Sequence, residues 1–121
     1  MTRRPATVTP DCSMGAAITR MRRARIRHLL VVDADRLVGV ISHRDWSRIP
    51  MGAAARGWEK QPVRRIMTED PVTVAPEMLL ADAARVLLER KIGCLPVRDG
   101  HAICGILTTS DALEALLSAL R

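Results

Sequence analysis

The heptapeptide GVISHRD, residues 39–45, closes a strongly apolar run and then turns abruptly polar, and GILTTSD, residues 105–111, repeats the change. Each runs from a glycine through two branched aliphatics to a hydroxyl residue and ends on aspartate. A hydroxyl followed three residues later by an acid is the signature of a helix start. Ser42 or Thr108 can accept from a free backbone N–H of the first turn, and Asp45 or Asp111 then sits where the helix dipole favours negative charge. Such a cap contributes on the order of 1 kcal/mol. The glycines Gly39 and Gly105 fall in mid-strand, where glycine weakens pairing and marks close approach of a backbone or a ligand. A strand that ends on a helix N-terminus also offers N–H groups to an anion. Hydroxyl and amides for a phosphate, with aspartate accepting from the hydroxyls of a ribose, make a coherent nucleotide site.

Both motifs belong to a longer repeat. Displaced by 66 positions, the chain aligns with itself without a gap. Met1-Thr2 falls on Met67-Thr68, and Pro5, Thr7, Val8 and Pro10 fall on Pro71, Thr73, Val74 and Pro76. Ile26, Leu29, Val31 and Asp33 fall on Ile92, Leu95, Val97 and Asp99. A long period present twice is a duplicated supersecondary unit, and each half is too short to be comfortably stable alone. Each half reads β-α-β-β-α. An extended piece (6–8; 72–74) leads to Pro10-Asp11 or Pro76-Glu77, placed as at the beginning of a helix. Leu80, Ala83, Ala84, Leu87 and Leu88 follow at helical spacing, and Ala17, Ile18 and Met21 form a thinner stripe in the first half. Two β runs make a hairpin, 28–32 with LVGVIS and 94–98 with AICGILT. A last helix places Leu113, Leu116, Leu117 and Leu120 on one face, whereas its first-half counterpart is broken by Pro50, Gly52 and Gly57. The fold class is therefore α/β (α+β), with two units packed about a pseudo-twofold axis. Residues 1–58 form unit 1, its first strand short or truncated, 59–66 a linker, and 67–121 unit 2.

Composition narrows the function classes. The 121 residues carry 48% hydrophobic side chains but only 2% aromatics, and the net charge of +6 favours anionic partners. Cys12, Cys94 and Cys104 match no metal spacing, and the latter two sit in apolar runs as reduced thiols, which suits a cytoplasmic protein. No apolar stretch approaches the ~20 residues of a membrane span, and no signal peptide opens the chain. His28, His43 and His101 lie far apart with no metal-spaced partners. Arg20, Arg22, Arg23, Arg25 and Arg27 read as a solvated helix face, without the aromatic interleaving of a nucleic-acid surface. No nucleophile–base pair and no phosphate-loop lysine is present, so an enzyme is not expected.

In this order and in both halves, Met67-Thr68-x-x-Pro71-Val72-Thr73-Val74-x-Pro76, Ile92-x-x-Leu95-Pro96-Val97 and the two glycine-to-aspartate motifs resemble a tandem pair of CBS domains, the cystathionine β-synthase-type module called a Bateman module. The resemblance spans essentially all 121 residues. It implies an energy-sensing regulatory role, with AMP, ADP, ATP or S-adenosylmethionine in clefts between the units and no covalent cofactor. It also implies two composite sites. The favoured one has Asp45 on the ribose, Ser42, His43 and Arg44 near phosphate, and an adenine pocket from Thr68, Val72, Ile92, Gly93 and Cys94. The second has Asp111, Thr108, Thr109 and Ser110, with Thr2, Ala6, Ile26, Arg27 and His28. Arg27-His28 is bulky and charged where Gly93-Cys94 is small, which favours the Asp45 site. With no effector domain in the chain, the expected partners are a second copy of itself and an unidentified effector protein. The alternatives are a ligand-free dimeric scaffold whose motifs only cap helices and, further off, a nucleic-acid binder using the arginine-rich first helix.

Overall fold

The computed structural model describes the backbone of residues 2–49 and 56–120, and the side chains of 4–49 and 56–120. Among the described residues seven strands and three α-helices follow one another: β1 Thr2–Arg3, β2 Thr7–Val8, α1 Met14–Ala24, β3 His28–Asp33, β4 Arg36–Ser42, β5 Thr68–Glu69, α2 Leu80–Arg90, β6 Cys94–Asp99, β7 Ala102–Thr108 and α3 Thr109–Ala119. Short 3-10 turns occupy His43–Arg48, Trp58–Lys60 and Val63–Arg65. The class is α+β. The part of the broken segment around Pro50 and Gly52 lies outside the described residues.

The 66-residue period is written into backbone geometry. The β3–β4 hairpin and the β6–β7 hairpin are antiparallel and both shift register, between Val31 and Val32 and between Val97 and Arg98. Val8 pairs in parallel with Val31, and Val74 with Val97. Non-glycine residues in the left-handed region recur at the same step. Arg25 and Lys91 (φ 55° and 54°) end α1 and α2, and Arg4 and Asp70 (φ 53° and 46°) follow β1 and β5.

The compact units nevertheless divide the chain elsewhere than the repeat does. One is Ala6–Pro71; the other joins Met1–Pro5 to Val72–Arg121. Backbone pairing is the reason. Strand β1 lies antiparallel on β7, in a sheet ordered β1-β7-β6. Strand β5 lies on β4, in a sheet ordered β2-β3-β4-β5. The opening strand of each repeat thus completes the sheet of the other, and the chain changes unit at Pro5/Ala6 and again at Pro71/Val72. The segment 59–66, expected as a linker, is built into the first of these units. Val63 is fully buried, Ile66 is nearly so, and Met14 N–H and Val63 N–H donate across to Gln61 O and Cys12 O.

Each unit has its own core. In Ala6–Pro71, Met14, Ala17 and Met21 of α1 pack against Leu29, Val31, Ile41, Val63 and Ile66. In the other, Ala83 and Leu87 of α2 pack against Val74, Leu95, Val97 and Leu107. Full burial of one such aliphatic contributes about 1.5–3 kcal/mol. The helices begin later than the proline–acid pairs suggested. Cys12 N–H closes a turn onto Thr9 O and Met78 N–H onto Ala75 O, so α1 starts after Ser13, whose hydroxyl accepts from Ala16 N–H, and α2 after Leu79. Leu80 and Leu88, expected on the apolar stripe of α2, face outward, Leu88 at 79% exposure. The four leucines of α3 are exposed as well.

Candidate functional site

Strand β4 ends at Ser42, where the extended backbone (φ −115°, ψ 162°) turns into the 3-10 turn His43–Arg48. Strand β7 ends in the same way at Thr108, before α3. Both starts form capping boxes. In the first, Ser42 N–H donates to Asp45 Oδ2 at 2.7 Å and the Ser42 hydroxyl lies 3.2 Å from the same oxygen. In the second, Thr108 N–H donates to Asp111 Oδ2 at 2.9 Å, and Asp111 N–H returns a bond to Thr108 Oγ1 at 3.2 Å. Capping is therefore real in both copies, and in both it occupies one carboxylate oxygen.

The two copies differ in length and burial. The first turn stops after Arg48, because Ile49 precedes a proline in sequence and is held extended (φ −70°, ψ 127°). The second runs 11 residues as α-helix. Asp45 is 5% exposed, a buried carboxylate, while Asp111 is half-buried. The nearest cation to Asp45 Oδ1 is Arg48 Nη1, at 3.8 Å. The sequence reading missed this neighbour, although the spacing of three residues on one turn carries the signal.

Backbone hydrogen bonds join each motif to the turn before the preceding strand. His43 N–H donates to Arg27 O at 2.8 Å, and His28 pairs with Ser42 across β3 and β4. In the other unit Thr109 N–H and hydroxyl both donate to Gly93 O, at 3.0 and 3.3 Å, and Cys94 pairs with Thr108. Within a unit, Arg27-His28 thus stands beside Ser42–Asp45, and Gly93-Cys94 beside Thr108–Asp111. The composite sites expected from the sequence join Asp45 to Gly93-Cys94 and Asp111 to Arg27-His28, residues that belong to different compact units. Thr68, in β5, shares a unit with Asp45; Val72 and Ile92 share one with Asp111; Ala6 and Ile26 lie with Asp45; and Thr2, in β1, lies with Asp111.

Electrostatics separates the two motifs further. Burial pushes the His28 imidazole below its ordinary pKa, Asp45 pulls it back, and the Arg27 and Arg44 guanidiniums push it down again. His28 therefore favours its neutral form more than a free imidazole does, in a neighbourhood that holds two arginines and one buried carboxylate. The equivalent positions around Asp111 are Gly93, Cys94 and Ser110, all uncharged.

Gly39 has a clear steric reason. A Cβ there would fall 2.6 Å from Met67 Sδ and 3.0 Å from Thr68 O, so the space is filled by the segment leading into β5 rather than open to a ligand.

Among the described residues no helix is long and apolar enough to cross a membrane. The CBS domain profile matches residues 1–52 and 63–118. The chain is 30% identical over 92% of its length to the CBS domain-containing protein YhcV of Bacillus subtilis, covering 78% of that protein. It spans only 21% of the inosine-5'-monophosphate dehydrogenases of Korarchaeum cryptofilum and Methanocaldococcus jannaschii that it also matches. Among solved structures, CBSX2 of Arabidopsis thaliana in complex with AMP superposes with a TM-score of 0.85 at 32% identity, over 100% of this chain and 95% of that one. The CBS domain pair of MJ0100 in complex with 5-methylthioadenosine and S-adenosyl-L-methionine superposes with a TM-score of 0.84 at 25% identity, over 100% and 94%. A doubled strand-to-helix motif, a doubled hairpin and matches to both halves lead to one conclusion: the chain belongs to the CBS domain family and is a tandem pair of CBS domains.

Proposed function

We propose that this CBS pair is a regulatory protein that binds an adenine nucleotide, with the start of the turn His43–Arg48 as its principal ribose- and phosphate-binding element. The observation that carries the reading is the buried Asp45 carboxylate. One of its oxygens is held by the Ser42 cap, Arg48 lies 3.8 Å from the other, and His28, itself under the influence of Arg27 and Arg44, interacts with it electrostatically. Asp45 Oδ1 is the acceptor for ribose hydroxyls. The Ser42 hydroxyl, the first-turn amides and Arg44 serve the phosphate. The solved relatives with AMP or with S-adenosylmethionine support adenosine as the common part of the ligand. The Asp111 site lacks cations at the matching positions and is the weaker one for a charged nucleotide.

A thermal-shift panel of AMP, ADP, ATP and S-adenosylmethionine tests the reading. A ligand at a hundred times its Kd adds about 2.7 kcal/mol to stability. An unmoved midpoint for all four at millimolar concentration rejects it and leaves the motifs as helix caps in a ligand-free scaffold.

The same reading includes a homodimer. Met78, Leu79, Leu80 and Leu88 on or just before α2, and Leu113, Leu116, Leu117 and Leu120 on or just after α3, are exposed. All eight belong to one unit, and α2 packs beside α3, so they offer a leucine-rich face for a second copy. Sedimentation velocity of the chain with and without nucleotide tests this part.

A further inference from the structure

A cavity lies within Ala6–Pro71, and neither capping motif lines it. It is a half-open hollow of about 290 Å3, lined by Met14, Ile49, Trp58, Gln61 and Ile66, together with Arg48, Arg56 and Arg65. Met14 and Ile66 are buried and form an apolar floor; Ile49 and Trp58 are half-buried; the three arginines are exposed and form the rim. No acid lines it. Glu59, next to Trp58 in sequence, packs its Cβ and carbonyl against Gly15 instead. Among the described residues, Arg56 and Arg65 have no carboxylate within ion-pairing distance, and Arg48 has only Asp45, at 3.8 Å. Of the three guanidiniums on the rim, two have no described carboxylate partner, and an anion in the cavity would supply a counter-charge to them. An apolar floor with an aromatic wall and a few convergent polar groups is the composition of a small-molecule site. The volume is at the small end for such sites, with room for one ring and its anionic group.

We infer that the cavity around Trp58 is a binding site for a small organic anion, a single apolar ring bearing a phosphate or carboxylate. The ring lies against Trp58, Met14 and Ile66, and the anionic group meets Arg56 and Arg65, with Arg48 drawn from Asp45. The site is independent of the nucleotide reading. It persists whether or not Asp45 binds a ribose.

The test uses phenyl phosphate as the probe on the full chain. The two tryptophan indole N–H resonances report, assigned with Trp46→Phe. The Trp58 resonance should move saturably, with a midpoint below about 10 mM. Benzyl alcohol, which has the ring without the charge, should leave it in place. The double variant Arg56→Ser/Arg65→Ser should weaken the probe about tenfold or more, since two charge-assisted contacts are lost. Both side chains are exposed, so an unchanged spectrum elsewhere confirms that this variant folds. Asp45→Ala should abolish a response to AMP while keeping the response to phenyl phosphate. The inference is overturned if Trp58 does not move, if benzyl alcohol moves it equally, if the double variant binds the probe as well as the parent chain, or if Asp45→Ala removes the phenyl phosphate response.

Discussion

The two units descend from one duplicated pattern and have come to differ in what they present to solvent. Residues 6–71 carry twelve Lys and Arg against seven Asp and Glu; the remainder of the chain carries seven against six. The first unit has the buried Asp45, a short 3-10 turn, and arginines on both sides of the motif. The second has a full helix, a half-buried Asp111 and, among the described residues, all the exposed large hydrophobics. At equivalent positions of α1 and α2, Arg22 stands where the repeat has Leu88, and Arg20 where it has Val86. On the proposed reading, the duplication lets one copy keep charge for a ligand and the other keep apolar surface for a second copy of the chain. A single unit could not easily combine the two, because desolvating arginines in an interface is costly.

The sharpest way to break this comparison is to remove the two carboxylates in turn. Asp45→Ala should lower AMP affinity about 100-fold, measured by calorimetry, through loss of charge-assisted bonds to the ribose. Asp111→Ala should lower it less than about tenfold; the reverse order would exchange the roles of the two units. Both variants also lose a capping partner and should be less stable by about 1–2 kcal/mol in urea unfolding.

Gly39→Ala should cost about 1–3 kcal/mol, because the new methyl meets Met67 and the Thr68 carbonyl. Adding Met67→Ala should recover part of that loss in a double-mutant cycle, and no coupling between the two would show that the strand yields elsewhere.

On the other unit, Leu88→Ser combined with Leu117→Ser should halve the mass seen in sedimentation. Each substitution should change folding stability by no more than about 0.5 kcal/mol, since both side chains are exposed. A dimer that survives both changes would place the protein interface outside the leucine face.

The smallest effect concerns His28. Burial lowers its folded-state pKa below the unfolded value of about 6.5, so the unfolded chain binds the proton first. Stability should therefore fall as pH drops from about 6.5 to the lower folded-state value. His28→Gln should flatten that part of the urea-midpoint profile, with no change above neutral pH.

Much of this fold was legible in the residues. The repeat at a constant step of 66, the hairpins and the helix caps at Ser42 and Thr108 all follow from local pattern. The capping motif is short-range chemistry, a hydroxyl and an acid three residues apart, so the sequence carries it completely. The exchange of β1 and β5 between the units was not legible, because a two-residue strand has no periodicity to say which edge it will join. The burial of Val63 and Ile66 in a segment resembling a linker is a long-range fact of the same kind. The outward direction of Leu88 depends on which side of α2 meets the sheet, and a stripe of leucines broad enough for two surfaces cannot tell them apart.

By itself the sequence determined the family and the doubled strand-to-helix capping motif, since each rests on residue types at fixed spacing. Only the tertiary structure decided which groups surround each aspartate. It set Arg27 and His28 beside Asp45, and Gly93 and Cys94 beside Asp111, and it drew Arg48, Arg56 and Arg65 around one cavity. Strand pairing and core burial bring these residues together across many positions of chain, and no local pattern encodes where such contacts fall.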